Sequence, residues 1–351
     1  MPFLTPISDL LHIDCAREAD RISEALRDIV FKQFKRKGAI VGLSGGIDSS
    51  VVAALLARAL GKEHVLALFM PELESAGETL ELSRLVADSV GIPSVLEDIT
   101  PILEGTRCYE RRDEAIRTVV PEFGEGYKCK IALPDLMATD SFAVFSIVVQ
   151  SPAGEIKKVR LPLNAYLGIL AASNFKQRIR KMIEYYHADR LNYAVSGTPN
   201  RLEYELGFFV KGGDGAADFK PIAHLYKSQI YQLAEYLNVP EIIQRRPPTT
   251  DTYSMPQSQE EFYFSMPLEK MDLCLYGKNH GMSASSLAPI LGYTMEQVEK
   301  ASHEELARWY RFLASGDTEE QQAITNRISG RFKQLGGMNP ELSKRIGYGG
   351  V

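Results

Sequence analysis

The chain has few cysteines, and none stand in a CxxC pair. Cys15, Cys108, Cys129 and Cys274 lie far apart along 351 residues, which argues against a zinc site and against a disulfide framework. Buried small apolar side chains are the plainer expectation for all four. No apolar stretch approaches the ~20 residues a membrane-spanning helix needs. The opening MPFLTPISDLLHIDCAREAD has an early aspartate and no basic run ahead of an apolar one, so no secretion signal and a cytoplasmic location are expected. Nor is there a basic excess. Forty Lys and Arg against 45 Asp and Glu give a net charge of -5, which implies no broad field for nucleic acid. Repeats and low-complexity tracts are also missing. What remains is an apolar share of 45% in a chain long enough to fold around a large core without staples.

The apolar pattern alternates in period. Ile22, Leu26, Ile29 and Val30 fall at helical spacing between Cys15 and Phe34, and the extended run AIVGL follows. Then come the loop SGGID, the helix SSVVAALLARALG stopped by Gly61, the strand HVLALFM, the helix GETLELSRLVADSVG and the strand SVLEDIT. Such alternation specifies a parallel sheet covered by helices. NFKQRIRKMIEYYHADRL predicts a helix from Asn174, NYAVSGT a short strand, and KSQIYQLAEYLNV a helix ended by Pro240. Between Pro101 and Ser173 the alternation breaks, and FAVFSIVVQ, the turn SPAGE and IKKVRLPL read as a β-hairpin insertion. From residue 260 to 351 the chain reads as mostly helical, LAPILGYTMEQVEKASHEELARWYRFL most clearly. The expected organisation is one α/β domain, residues 1–259, with the insertion at about 101–173 and a helical segment, 260–351, on the same domain.

The stretch VGLSGGIDSS, Val41 to Ser50, is a phosphate loop without the GK[ST] ending of nucleoside triphosphatases. Gly45 and Gly46 at a strand-to-helix turn let backbone approach an anion. The helix start behind them offers free N–H groups and partial positive charge. Ser44, Ser49 and Ser50 add hydroxyls. Asp48 would repel bound phosphate unless a cation lay between, and Mg2+ takes one or two carboxylates together with phosphate oxygens. The loop therefore suits magnesium-bound pyrophosphate. The purely structural alternative is a helix N-cap by Ser44 or Asp48. The string SGGIDSS resembles the signature of the N-type ATP pyrophosphatases, the PP-loop superfamily, which cleave ATP to AMP and pyrophosphate while activating a carboxylate or carbonyl.

A second polar set lies at SGTPNRLEYELGFFVKGGDGAADFKPIAHLYKSQI, Ser196 to Ile230. Singly, Glu203 or Asp218 reads as a solvated carboxylate; together the set suits nucleotide and metal contacts. With NFKQRIR and RRPPTTD it is similar to the pattern of the NAD synthetase family, over most of residues 15–100 and 174–252. That resemblance implies a Rossmann-like (adenine nucleotide α-hydrolase-like) fold and amidation of nicotinic acid adenine dinucleotide. The nicotinate carboxylate attacks the ATP α-phosphate, pyrophosphate leaves, and ammonia displaces AMP. It implies Asp48 and Glu203 as magnesium ligands, and Ser44, Gly45, Gly46, Ser49 and Ser50 around pyrophosphate. Met70, Thr198, Lys227 and Thr249 would contact ATP, and Arg178, Lys211, Asp214 and Asp218 the dinucleotide or its adenylate. Asp48, Lys211 and Lys227 are the expected catalytic groups, the lysines offsetting phosphate charge. A homodimer is implied as well.

Two departures stand out. MPELES, Met70 to Ser75, replaces the family's usual serines with a single one, and NRISGRFKQLGG offers Lys333 but no histidine where the family often has a closing His-Lys pair. No room is left for a glutaminase domain, so free ammonia or a separate glutaminase is the expected nitrogen source. The tRNA-thiolating relatives are disfavoured by the absence of paired cysteines and a basic surface. Two other functions fit parts of the pattern: an adenylating amide ligase for a different acid, and a nucleotide-binding regulator without catalysis. Retention of Asp48 and Glu203 argues against the second.

Overall fold

The computed structural model describes residues 9–132, 145–249, 253–257, 267–295 and 298. Met1–Val298 form one compact unit; a second, Glu299–Val351, lies outside the described residues, as does Lys333. The strands described are β1 (Ala39–Gly42), β2 (Val65–Phe69), β3 (Ser94–Leu96), β4 (Lys128–Ala132), β5 (Ser146–Gln150), β6 (Ile156–Arg160) and β7 (Ala194–Val195). The α-helices are α1 (Cys15–Arg27), α2 (Ile47–Leu60), α3 (Gly77–Val90), α4 (Thr100–Gly105), α5 (Cys108–Arg117), α6 (Leu163–Leu191), α7 (Arg201–Leu206), α8 (Lys227–Tyr236), α9 (Glu241–Arg245), α10 (Leu268–Asn279) and α11 (Ala284–Leu291).

A parallel sheet in the order β3-β2-β1-β7 carries the fold. Its central strands are continuous apolar runs because both faces are covered. Ala39, Val41, Val65, Ala67 and Phe69 pack in one core with α1, α2 and α8. Their neighbours Ile40, Leu66, Leu68 and Val195 point the other way, into a core with α4, α5 and α6. That is the period-2 alternation of a strand, with both phases buried.

A separate antiparallel sheet follows the order β4-β5-β6. The expected hairpin is present, its first strand described from Phe145 onward, and the turn closes by Ser151 N–H donating to Glu155 O at 2.8 Å. A third strand, β4, joins it: Cys129 pairs with Val149 and Ile131 with Ile147. Only one face of this sheet is buried, against Ile116 of α5 and Ala165 and Ile169 of α6.

The long helix begins earlier than its sequence suggests, at Leu163 rather than Asn174, after Pro162 at its N-cap. Gly168 hides this start, since glycine weakens a helical reading. It is there because a Cβ at that position would lie 2.9 Å from Cβ of Ala115, so glycine permits the close crossing of α5 and α6. Residues 100–117, inside the expected insertion, are also largely helical. Of the helical C-terminal segment, α10 and α11 are described; the rest of the expected LAPILGYTMEQVEKASHEELARWYRFL helix falls mainly outside the described residues. Among the described residues no helix is long and apolar enough to cross a membrane.

Candidate active site

β1 and β7 are neighbours in the sheet although some 150 residues separate them in sequence, so the loops leaving their carboxyl ends open side by side. From β1 the chain turns to β2 on one side, while β7 closes the other. This is a topological switch point, where open α/β sheets bind ligands. The SGGIDSS loop leaves β1, and the Thr198–Glu203 segment leaves β7.

Gly45 has φ +68°, and a Cβ there would stand 2.8 Å from Cβ of Leu82, so both conformation and space demand glycine. Gly46 is the residue ahead of α2, and among the described residues no side chain caps that helix. The N-cap alternative for Ser44 or Asp48 is therefore not what the loop does. Open N–H groups and partial positive charge remain at the helix start for an anion. Ser44 is exposed, its hydroxyl 3.3 Å from Ser49 Oγ. Ser49 and Ser50, both buried, donate to the Gly46 carbonyl at 3.1 and 2.8 Å and so hold the turn.

Asp48 looks across to β7 and α8. One carboxylate oxygen accepts from Asn200 Nδ2 at 3.0 Å, and the other pairs with Lys227 Nζ. Asn200 in turn caps α7 in a reciprocal box. Its side chain accepts from Glu203 N–H at 3.1 Å, and Glu203 Oε2 accepts from Asn200 N–H at 3.1 Å. Burial first, then the Asp48 charge, pushes the Glu203 carboxyl well above the usual carboxylate range. Burial by itself would lower the Lys227 ammonium, but the Asp48 and Glu203 carboxylates outweigh it and hold it above the ordinary lysine value. The residues are two carboxylates and a buried cation beside an open helix start.

Two carboxylates that crowd one another suit a hard cation. Among the described residues no group of three or more His, Cys, Asp or Glu could hold a metal, and magnesium shared with phosphate oxygens needs only one or two carboxylates. Asp48 and Glu203 fit that donor set.

The other expected residues are placed as follows. Met70 is buried at the end of β2, and its carbonyl accepts from Arg180 Nε at 3.2 Å. Thr198 is half-buried on the loop after β7. Arg178, exposed, reaches the Lys211 carbonyl at 3.2 Å, which brings those two together. Asp214 accepts from Val210 N–H at 2.7 Å, and burial raises its pKa. Asp218 is engaged by Val195 N–H at 2.7 Å and the Tyr185 hydroxyl at 3.1 Å, which ties it to β7. Thr249 is exposed beyond α9.

Three features escaped the sequence reading. Asn200 was legible as a capping box, N-x-x-E, but not as the residue that joins both carboxylates. Asp272 on α10 had no signal: it lies in MDLCLYG, an apolar run, and is fully buried. Its carboxylate accepts from the backbone N–H groups of Lys227 and Ser228 at 3.1 and 2.7 Å. Lysine at the first position of a helix opposes the helix dipole, and an anion bound to the same N–H groups offsets that. Burial raises the Asp272 carboxyl to about 6. The third is what the two glutamates of MPELES do. Glu72 and Glu74 bind Lys176 Nζ at 2.9 and 2.7 Å, Arg112 grips both oxygens of Glu74 at 2.6 Å, and Tyr109 donates to Glu72 at 2.6 Å. The place of the missing serines is taken by a buried ion network joining β2, α5 and α6.

Fold and loop together define an α/β nucleotide-binding protein of the PP-loop class. The NAD synthase family model matches residues 18–120 and 155–308, and the chain belongs to that family. It is 57% identical over 291 residues to the NH3-dependent NAD+ synthetase of Mesorhizobium japonicum, covering 83% of this chain and 91% of that one. In fold it is similar to the NMN synthetase of Francisella tularensis, with a TM-score of 0.55, 23% identity, and 84% and 96% of the two chains covered. The NH3-dependent NAD synthetase of Campylobacter jejuni gives 0.52, 24%, and 83% and 97%.

Proposed function

We propose that this protein makes NAD by amidating nicotinic acid adenine dinucleotide with ATP and ammonia, releasing AMP and pyrophosphate. The observation that carries the reading is the Asp48–Asn200–Glu203–Lys227 cluster beside the uncapped start of α2, in a chain of the NAD synthase family.

In this reading the α2 start, Gly45, Gly46, Ser44 and Ser49 receive the departing pyrophosphate, while Ser50 keeps the turn in shape. Lys227 lies where negative charge gathers as the α-phosphorus is attacked. Asp48 and Glu203 would hold magnesium, which supplies charge neutralisation between the phosphates and the carboxylates. Glu203 ionises more readily once a cation is bound, since the repulsion from Asp48 is then relieved. Met70, Thr198 and Thr249 serve ATP, and Arg178, Lys211, Asp214 and Asp218 the dinucleotide. Converting a carboxylate to an amide needs a better leaving group than hydroxide, and AMP is one; no side-chain nucleophile is required. Positioning two anionic substrates is the main task.

The same proposal includes free ammonia or ammonia from a separate glutaminase, a homodimer, a cytoplasmic setting, and a synthetase core of residues 1–259 with a helical segment, 260–351, whose α10 supplies Asp272.

The test is NAD formation from the acid dinucleotide, ATP, magnesium and ammonium, with pyrophosphate followed in parallel. Nicotinic acid mononucleotide is the comparison acid. NAD and pyrophosphate in equal amounts are expected. Pyrophosphate released only with another acid would leave the adenylation chemistry standing and overturn the substrate; no pyrophosphate with any acid tried would favour the regulator.

A further inference from the structure

The NAD synthase family model leaves residues 121–154 unmatched, and β4 and β5 lie within that span. What the added sheet does is visible at its edge. Among the described residues β4 pairs with β5 on one side only, and a strand edge offers its N–H and C=O groups to any extended segment. Residues 253–257 occupy that edge. Met255 N–H donates to Cys129 O at 3.1 Å, and Cys129 N–H donates to Ser254 Oγ at 2.9 Å. Gln257 Nε2 donates to Ile131 O at 2.5 Å, and Lys130 Nζ reaches Pro256 O at 3.4 Å. The attachment is apolar too: Tyr253, 4% exposed, lies in the core of the added sheet with Cys129, Ile131, Ile147 and Val149.

These residues close the proline-rich loop RRPPTTD. Its start is tied by Arg246 Nη2 to Glu78 Oε1 of α3 at 2.8 Å. Thr249 lies between that tie and the β4 edge, only four residues ahead of Tyr253.

We propose that the added sheet is a platform that positions the ATP-contacting loop: the β4 edge anchors Tyr253–Gln257 and thereby holds Thr249 at the nucleotide. Tyr253 is the positioning residue. This rests on the assignment of Thr249 to ATP. The physical gain is that residues 253–257 are anchored on folding rather than on binding, so a larger fraction of molecules is competent for ATP. Four residues span at most about 14 Å of extended chain, so fixing Tyr253 confines Thr249.

The experiment measures ATP affinity by calorimetry without the acid substrate, and hydrogen exchange at the Met255 amide, in the full chain. Tyr253→Ala is expected to weaken ATP binding about tenfold and to speed Met255 exchange, while affinity for the acid dinucleotide moves less than twofold. Tyr253→Phe keeps the ring in the core and restores ATP affinity. Should Tyr253→Ala fold poorly, Ser254→Ala removes the hydroxyl that accepts from Cys129 N–H, keeps the Met255 amide as the readout, and is expected to act in the same direction. An unprotected Met255 amide in the wild type overturns the proposal, as does ATP affinity within twofold of wild type once Met255 exchange has risen. If Thr249→Ala leaves ATP affinity unchanged while Tyr253→Ala weakens it, the platform stands and the assignment of Thr249 fails.

Discussion

The parallel and antiparallel sheets bury their strands by different rules, and the difference separates chemistry from support. Every residue of β2 is buried, as are the first three of β1, because helices lie on both faces. In β5 burial alternates, and in β6 four of the five residues are exposed. A doubly covered sheet can present reactive groups only where its strands stop, and the carboxyl ends of β1 and β7 are where Asp48, Asn200 and Glu203 meet. A sheet covered on one side has a free edge and a wet face, and it can hold another segment against itself. The first arrangement suits charge development away from water; the second suits attachment.

The widest separation between the two regions is expected in catalysis. Asp48→Asn takes the ion-pair partner from Lys227, whose side chain is 1% exposed, and removes one of the two carboxylates. Activity should fall on the order of 10²–10³-fold, as when a preorganised electrostatic group is lost. Glu122→Gln, which removes the exposed pair with Lys157 of β6, should leave turnover unchanged. Parallel steady-state assays of the two variants decide the matter; comparable losses would mean that the added sheet shares directly in the chemistry.

Asp272 sharpens the comparison within the candidate active site. Asp272→Asn can offer one acceptor but not two charged ones to Lys227 and Ser228 N–H. A charge-assisted hydrogen bond contributes about 1.5–3 kcal/mol, so a loss of about tenfold or more in kcat/KM for ATP is expected, with KM for the acid dinucleotide little changed. A stability scan against pH gives an independent reading. The folded carboxyl is raised to about 6 from an unfolded value of about 3.9. The unfolded chain therefore releases this proton first, and the Asp272 contribution makes stability fall between pH ~4 and ~6 and level above it. That component should vanish in Asp272→Asn.

Gly45 and Gly168 extend the comparison to packing. Alanine at Gly45 meets both a left-handed backbone and the Leu82 side chain, so a loss of about 2–4 kcal/mol is expected. At Gly168 the crowding against Ala115 is partly offset by about 1 kcal/mol of helix propensity, and the net change should stay within about 2 kcal/mol. Denaturant midpoints at unchanged slope measure both.

Legibility followed the same division. The apolar runs AIVG and VLALF, the punctuating Gly61, and the SGGIDSS loop are local signals, and β1, α2 and β2 lie where those signals place them. The hairpin was legible because SPAGE marks its turn. β4 was not: KCKIA is short and carries two lysines, and it becomes a strand by pairing with β5. The start of α6 was hidden by a glycine whose reason is a neighbour on α5. For the site, residue types within one motif could be read, whereas Asp272 acts from an apolar run on a distant helix. What was missed depends on partners remote in sequence, which no local pattern encodes.

The smallest effect compares two thiols. Cys108 packs in the core behind the parallel sheet and Cys129 in that of the added sheet, and burial pushes each up to about 11. Only the thiolate reacts, so alkylation of either should be slow at pH 8 and rise about tenfold per pH unit below pH 11. Cys15, half-buried at the start of α1, should react ahead of both. The two buried thiols should then be told apart by Tyr253→Ala. Cys129 sits under the segment that this change releases and should label faster, whereas Cys108, packed against α6 with its thiol 3.3 Å from Ala172 O, should keep its wild-type rate. Equal acceleration of both would mean that the two cores open together, and the division drawn between the sheets would describe geometry without energetic independence.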